Sequence, residues 1–210
     1  MKTKWFFIPA LLCGLTLLTA ASWVAPKGGG DGYSVGDVVE DFSLKNIDGK
    51  MVSLASYKKA KGFIVTFTCN HCPYAKLYED RLIELHNKYA SKGYPVVAIN
   101  PNDVTKQPED SFENMKKRAK EKGFPFAYLY DETQEIATAY GATRTPHVYI
   151  LHKDGKELKV KYIGAIDDNP RNADDASEFF VSDAINALLK GKEVKKTHTK
   201  AIGCTIKWKE

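Results

Sequence analysis

The stretch "FIVTFTCNHCPYAK", residues 63–76, sets two cysteines three positions apart, where an apolar, β-branched run gives way to a proline. Residues 62–68 have the composition of a buried central strand. Beyond Cys72, the residues Tyr78, Leu82, Leu85 and Tyr89 recur at four, three and four positions, the period of an amphipathic helix, and Gly93 marks its stop. Cys69 and Cys72 therefore fall where a strand passes into a helix N-terminus. Backbone N–H groups and the helix dipole favour a thiolate there, and His71 can become cationic and add to that stabilisation. A stabilised thiolate makes the disulfide a better oxidant. Pro73 suits the first helical turn, where its missing N–H costs little. At this point three uses of the pair are open: a redox couple, a metal clasp or a structural staple.

Outward from the pair, "VVEDFSLKNIDGKMVSL" reads as a hairpin turning at Asp48-Gly49. "YPVVAI" and "FAYLY" are two more buried strands, and "DSFENMKKRAKEKG" is a helix with Asp110 and Glu113 spaced as a capping box. Its "KKRAKEK" run is the wet face of that helix. Asp131 with Gln134 opens a short helix that closes at Gly141. "HVYIL" and "ELKVKYI" pair across an Asp154-Gly155 turn, and a last helix runs from Ser177 to Leu189. This order predicts an α/β fold: a central mixed sheet covered by helices on both faces, with the last hairpin adding antiparallel strands at one edge.

The chain begins with Lys2 and Lys4, the apolar run "WFFIPALLCGLTLLTA" and the small residues Ala20, Ala21 and Ser22. That order describes a secretory signal peptide over residues 1–21, with an uncleaved signal anchor as the alternative. A lipid anchor on Cys13 is disfavoured by the bulky Leu12 before it. Either way the folded part is expected outside the cytoplasm, periplasmic or otherwise extracytoplasmic, and touches a membrane only through this segment. Residues 22–34 read as a linker, 35–190 as the domain and 191–210 as a basic tail. Without Lys2 and Lys4, 29 basic residues face 26 acidic ones, and no basic stripe interleaved with aromatics is present. Nucleic-acid binding has no support.

Several motifs in one order carry a resemblance: "VGDVVEDFSL", "FTCNHCPYA", "INPND", "GATRTPHVYI", "GAIDDNP" and "GCTIKWK". Together they resemble the redoxin branch of the thioredoxin fold, within it the peroxiredoxin-like, AhpC/TSA-related proteins with a Cys-x-x-Cys motif. The resemblance spans about Val35 to Ile166 and implies a thioredoxin-like fold with an N-terminal hairpin extension. It further implies that Cys69 attacks, Cys72 resolves, His71 tunes the thiolate, and the loop at Thr145 and Pro146 is a cis-proline loop that presents backbone to an extended substrate. Protein thiols and disulfides and a redox partner protein would be its partners, and it would need no cofactor. The sequence departs from thioredoxins in two places: Phe67-Thr68 replace their aromatic lead-in, and Thr66 stands where many have a buried acid.

A peroxidase, the alternative reading, needs a Thr or Ser three residues before its reactive cysteine and a proline four before that. If Cys72 is that cysteine, Cys69 and Val65 occupy those positions, so the departure favours disulfide exchange. Metal binding is the rival from another class, with Cys69, Cys72, His71, His198 and Cys204 as soft ligands for zinc or copper. No second cysteine pair at matching spacing accompanies the first. Cys204 makes the mature cysteine count odd, as a buried inert residue or an accessory thiol. Asp167-Asp168 reads as a solvated turn, and His86, His147 and His152 as incidental, with His147 beside the site only because it follows Pro146.

Overall fold

The computed structural model describes Met1 and residues 32–210; the expected signal segment after Met1, and the expected linker as far as residue 31, lie outside the described residues. The elements run β1 (Val38–Val39), β2 (Ser43–Asn46), β3 (Met51–Ser53), β4 (Gly62–Phe67), α1 (Pro73–Tyr89), β5 (Val96–Asn100), α2 (Phe112–Lys122) and β6 (Ala127–Tyr130). They continue with α3 (Glu135–Tyr140), β7 (Arg144–Thr145), β8 (His147–Asp154), β9 (Glu157–Gly164), α4 (Phe180–Leu189) and β10 (Cys204–Thr205). Eight strands form one sheet in the order β1-β9-β8-β4-β5-β6-β2-β3, and β10 pairs with β7 in a separate two-stranded ladder.

β4 occupies the middle because every one of its residues is buried and apolar or small enough to pack on both faces. It runs parallel to β5 and antiparallel to β8. Alternate residues point to opposite layers: Phe63, Val65 and Phe67 join α3 and Phe42, while Ile64 meets α1, α2 and α4. α1 presents Tyr78, Leu82, Leu85 and Tyr89 to the second layer, the four positions that its period predicts. Burying a side chain of that size contributes about 1.5–3 kcal/mol. Gly62 opens the strand because a Cβ there would stand 2.1 Å from the Leu151 carbonyl oxygen.

Both hairpins form as expected, β2–β3 through Asp48-Gly49 and β8–β9 through Asp154-Gly155. Three details differ. The β8–β9 hairpin is not itself an edge, since β8 lies against β4 and β9 is covered by β1. The last helix starts at Phe180 rather than Ser177, because the Ser177 hydroxyl and N–H both donate to Asp168, at 2.6 and 2.9 Å. Asp110 is not the cap of α2; Ser111 is, its hydroxyl accepting from the Asn114 N–H at 3.4 Å. Among the described residues no helix is long and apolar enough to cross a membrane.

Candidate active site

Cys72, not Cys69, stands at the N-cap of α1, with Pro73 in the first turn. Cys69 lies three residues earlier in the loop that leaves β4. That loop is held from below by one buried carboxylate. Asp110 Oδ1 accepts the Asn70 N–H at 2.7 Å and the His71 N–H at 3.1 Å. Its Oδ2 lies 2.6 Å from His71 Nδ1 and accepts from the Asn102 side-chain amide at 2.7 Å. Four donors around a carboxylate with no solvent exposure satisfy its lone pairs. Because an ionised carboxylate can only accept, the contact with Oδ2 places the imidazole proton on Nδ1. Tyr128 completes the support by donating to the Asn70 side-chain oxygen at 2.9 Å.

The peptide between Thr145 and Pro146 is cis, and Thr145 is buried against both sulfurs of the motif. Cys69 Sγ lies 3.2 Å from the Thr145 hydroxyl, and Cys72 Sγ lies 3.3 Å from the Thr145 carbonyl oxygen. Among the described residues a disulfide joins Cys72 to Cys204, 132 residues later, and Cys69 is the free thiol. The expected pairing of Cys69 with Cys72 is therefore not the bond found, and Cys204 is not a bystander. The cause is tertiary: β10 lies antiparallel on β7 with Cys204 opposite Thr145, which brings its Cα to 6.0 Å from that of Cys72. In the disulfide Cys72 carries no proton, so its approach to the Thr145 carbonyl is a contact that becomes a hydrogen bond on reduction.

The Cys69 environment also departs from expectation. Burial pushes its thiol up to about 11, and the Asp110 charge acts in the same direction. The Thr145 hydroxyl and the Cys72 and His71 N–H groups oppose this without overcoming it. In this closed arrangement Cys69 is a protonated, protected thiol rather than an activated thiolate.

Among the possible metal ligands, the fold brings together Cys69, His71 and Asp110, with one ligand atom of each within 4.8 Å of the others. Cys72 and Cys204 are bonded to one another, and His198 sits on a bridge to Ile163. A cation here would have to take Asp110 and His71 from each other. His147 is buried and neutral, held down to about 4 by burial and the neighbouring His198, and its Nδ1 accepts from the Thr143 N–H at 3.4 Å. His86 Nδ1 accepts from the Val96 N–H at 3.3 Å, and His152 Nδ1 lies 2.5 Å from the Tyr94 hydroxyl, so both serve packing. Asp167 is no solvated turn: it is buried and paired with Arg81 at 2.6 and 2.7 Å. Asp110 and Asn102 are the site residues that the sequence reading missed. The "INPND" motif contains Asn102, but nothing in the spacing directs its side chain to the cysteine loop.

A thiol and a disulfide converging on a cis-proline loop, in a thioredoxin-like fold, define a thiol–disulfide oxidoreductase class of protein. Residues 35–162 match the model of the AhpC/TSA family, and the chain belongs to that family. It is 25% identical over 127 residues to "Thiol-disulfide oxidoreductase ResA" of Geobacillus thermodenitrificans, covering 60% of this chain and 68% of that one. It is 34% identical over 113 residues to "Phospholipid hydroperoxide glutathione peroxidase" of Sapajus apella, covering 53% of this chain and 55% of that one. A crystal structure of an uncharacterized conserved protein from Geobacillus kaustophilus superposes with a TM-score of 0.77 at 44% identity, over 84% of this chain and 93% of the other.

Proposed function

We propose that the protein exchanges disulfides with other proteins outside the cytoplasm, with Cys69 as the attacking thiol and Cys72 resolving the mixed disulfide. The observation that carries this is the meeting of both sulfurs at Thr145, at 3.2 and 3.3 Å, on the β7 strand, whose edge pairs here with the extended segment β10 of the same chain. The segment of residues 1–21 supports export, and a disulfide persists in an oxidising compartment. His71, held by Asp110, is the group that tunes the loop. The ResA relative supports the same reading.

The test is insulin reduction together with trapping. Cys69→Ser abolishes reduction, and Cys72→Ser accumulates mixed disulfides with substrate; full activity in the Cys69 variant sinks the reading. A titration in glutathione buffers, with alkylation and mass spectrometry at each thiol, then fixes direction. A potential near about −270 mV marks a reductant and one near about −120 mV an oxidant.

One observation favours a second reading. In a peroxidase, the Cys72 thiolate would attack a peroxide oxygen and become a sulfenic acid. Cys204 would then displace water to form the Cys72–Cys204 bond seen here. The glutathione peroxidase relative points the same way. Under it, Cys72→Ser stops rapid peroxide consumption and Cys69→Ser does not.

A further inference from the structure

The tail meets the site in a manner that disulfide exchange alone does not require. β10 lies on β7 with Cys204 opposite Thr145, along the strand edge where an extended substrate would pair. A Cβ on Gly203 would stand 2.2 Å from the Thr145 carbonyl oxygen and 3.0 Å from the Pro146 nitrogen, so the residue before this cysteine has to be glycine. Hydrogen bonds hold the segment on both sides. The Thr199 N–H donates to Ile163 O at 3.0 Å, and the Ile206 N–H to Thr143 O at 3.3 Å. The Lys207 N–H donates to the Asn102 side-chain oxygen at 2.8 Å and the Lys209 N–H to that of Gln134 at 2.7 Å. Gln134 is a buried non-glycine residue at φ 64, a left-handed backbone that persists only where the surroundings over-determine it. Asn102 also donates to Asp110, so the tail and the cysteine loop share one network.

We propose that Gly203-Cys204-Thr205 is a built-in occupant of the substrate edge, latched by the Cys72–Cys204 disulfide and released when Cys69 displaces Cys204. This rests on the exchange reading above. The step is redox-neutral. Cys69 gives up its proton and its thiolate attacks Cys72 Sγ. The Cys69–Cys72 bond forms as the Cys72–Cys204 bond breaks, and Cys204 leaves as a thiolate that takes up a proton. One disulfide replaces another, with no outside oxidant or reductant. The released form carries the oxidised pair and a bare β7 edge. Because the latch seats a Gly-Cys step against Thr145 and Pro146, an extended peptide carrying that step fits the bared edge and serves as its probe.

The experiment uses full-length protein, oxidised beforehand and mixed with a reduced dithiol peptide that carries a Gly-Cys step. A tethered thiol competes at an effective concentration of roughly 1 mM, so peptide at about a tenth of that is outcompeted about tenfold. Cys204→Ser, which cannot latch, and Gly203→Val, which keeps the thiol but cannot seat, both oxidise the peptide about tenfold faster than the unaltered protein. Disulfide mapping finds Cys72–Cys204 as the major and Cys69–Cys72 as the minor form in the unaltered protein, and Cys72–Cys204 alone in Cys69→Ser. If Cys204→Ser holds a Cys69–Cys72 disulfide yet transfers it no faster than the unaltered protein, the latch is overturned and the exchange reading stands. If Cys204→Ser forms no Cys69–Cys72 disulfide, the exchange reading fails and takes the latch with it.

Discussion

Asp110 contributes two opposed effects through one carboxylate. It organises the loop by accepting from Asn70, His71 and Asn102, and its charge adds to the burial that keeps Cys69 protonated. Asp110→Asn separates the two. An amide in this position turns a donor toward the Asn102 amide, and a buried unsatisfied group costs about 1–3 kcal/mol. Unfolding in urea therefore moves to lower denaturant. The lost charge, however, makes the Cys69 thiolate easier to form. The alkylation rate of Cys69 in the oxidised protein rises tenfold per pH unit, because only the thiolate reacts, and levels off near the thiol's value of about 11. In the Asn variant that whole profile shifts to lower pH. A profile unmoved by the substitution would mean that the Asp110 charge does not reach Cys69. The position was read from sequence as a helix cap, since an Asp three residues before a Glu has the spacing of one. Only the real cap at Ser111 frees Asp110 to turn inward.

The elements were largely legible because their periods are local properties. α1 repeats apolar residues every three or four positions, and β4 and β5 are fully buried, mostly apolar runs. Boundaries failed where a polar side chain found a partner far along the chain. Ser177 turns to Asp168, nine residues away, and α4 starts three residues late. At α2 the cap is Ser111, and Ser111→Ala lowers stability by about 1 kcal/mol in chemical unfolding. No change would show that the 3.4 Å contact to Asn114 contributes nothing. At β10 no local signal exists: a two-residue strand has no period to read, and its pairing with β7 spans 59 residues or more.

Across the whole molecule, buried charges tie distant segments together. Arg81 on α1 meets Asp167, in the connection from β9 to α4, at 2.6 Å, and Tyr78 donates to the same carboxylate at 3.1 Å. Asp167→Ala leaves the Arg81 guanidinium buried without its partner, so stability falls by about 3–5 kcal/mol. The paired change Arg81→Met with Asp167→Leu recovers most of that loss, because it also removes the charge that must be desolvated. A single variant as stable as the unaltered protein would show that the pair opens to solvent. From sequence this aspartate read as part of a wet turn, since nothing in "IDDNP" names an arginine 86 residues earlier as its partner.

By itself the sequence determined the strand and helix order, the hairpins and the placement of a Cys-x-x-Cys motif before a helix. Each of these depends on neighbouring residues and their period, whereas the Thr-Pro loop joined that motif only through the family resemblance. Tertiary structure alone decided which sulfurs are joined and what state the third one keeps. A disulfide requires two Cα atoms about 4.4–6.8 Å apart, and 132 residues of intervening chain must fold before Cys72 and Cys204 satisfy that. The same folding buries Cys69 beside Asp110, and burial overrides the activation that a helix N-terminus was expected to provide.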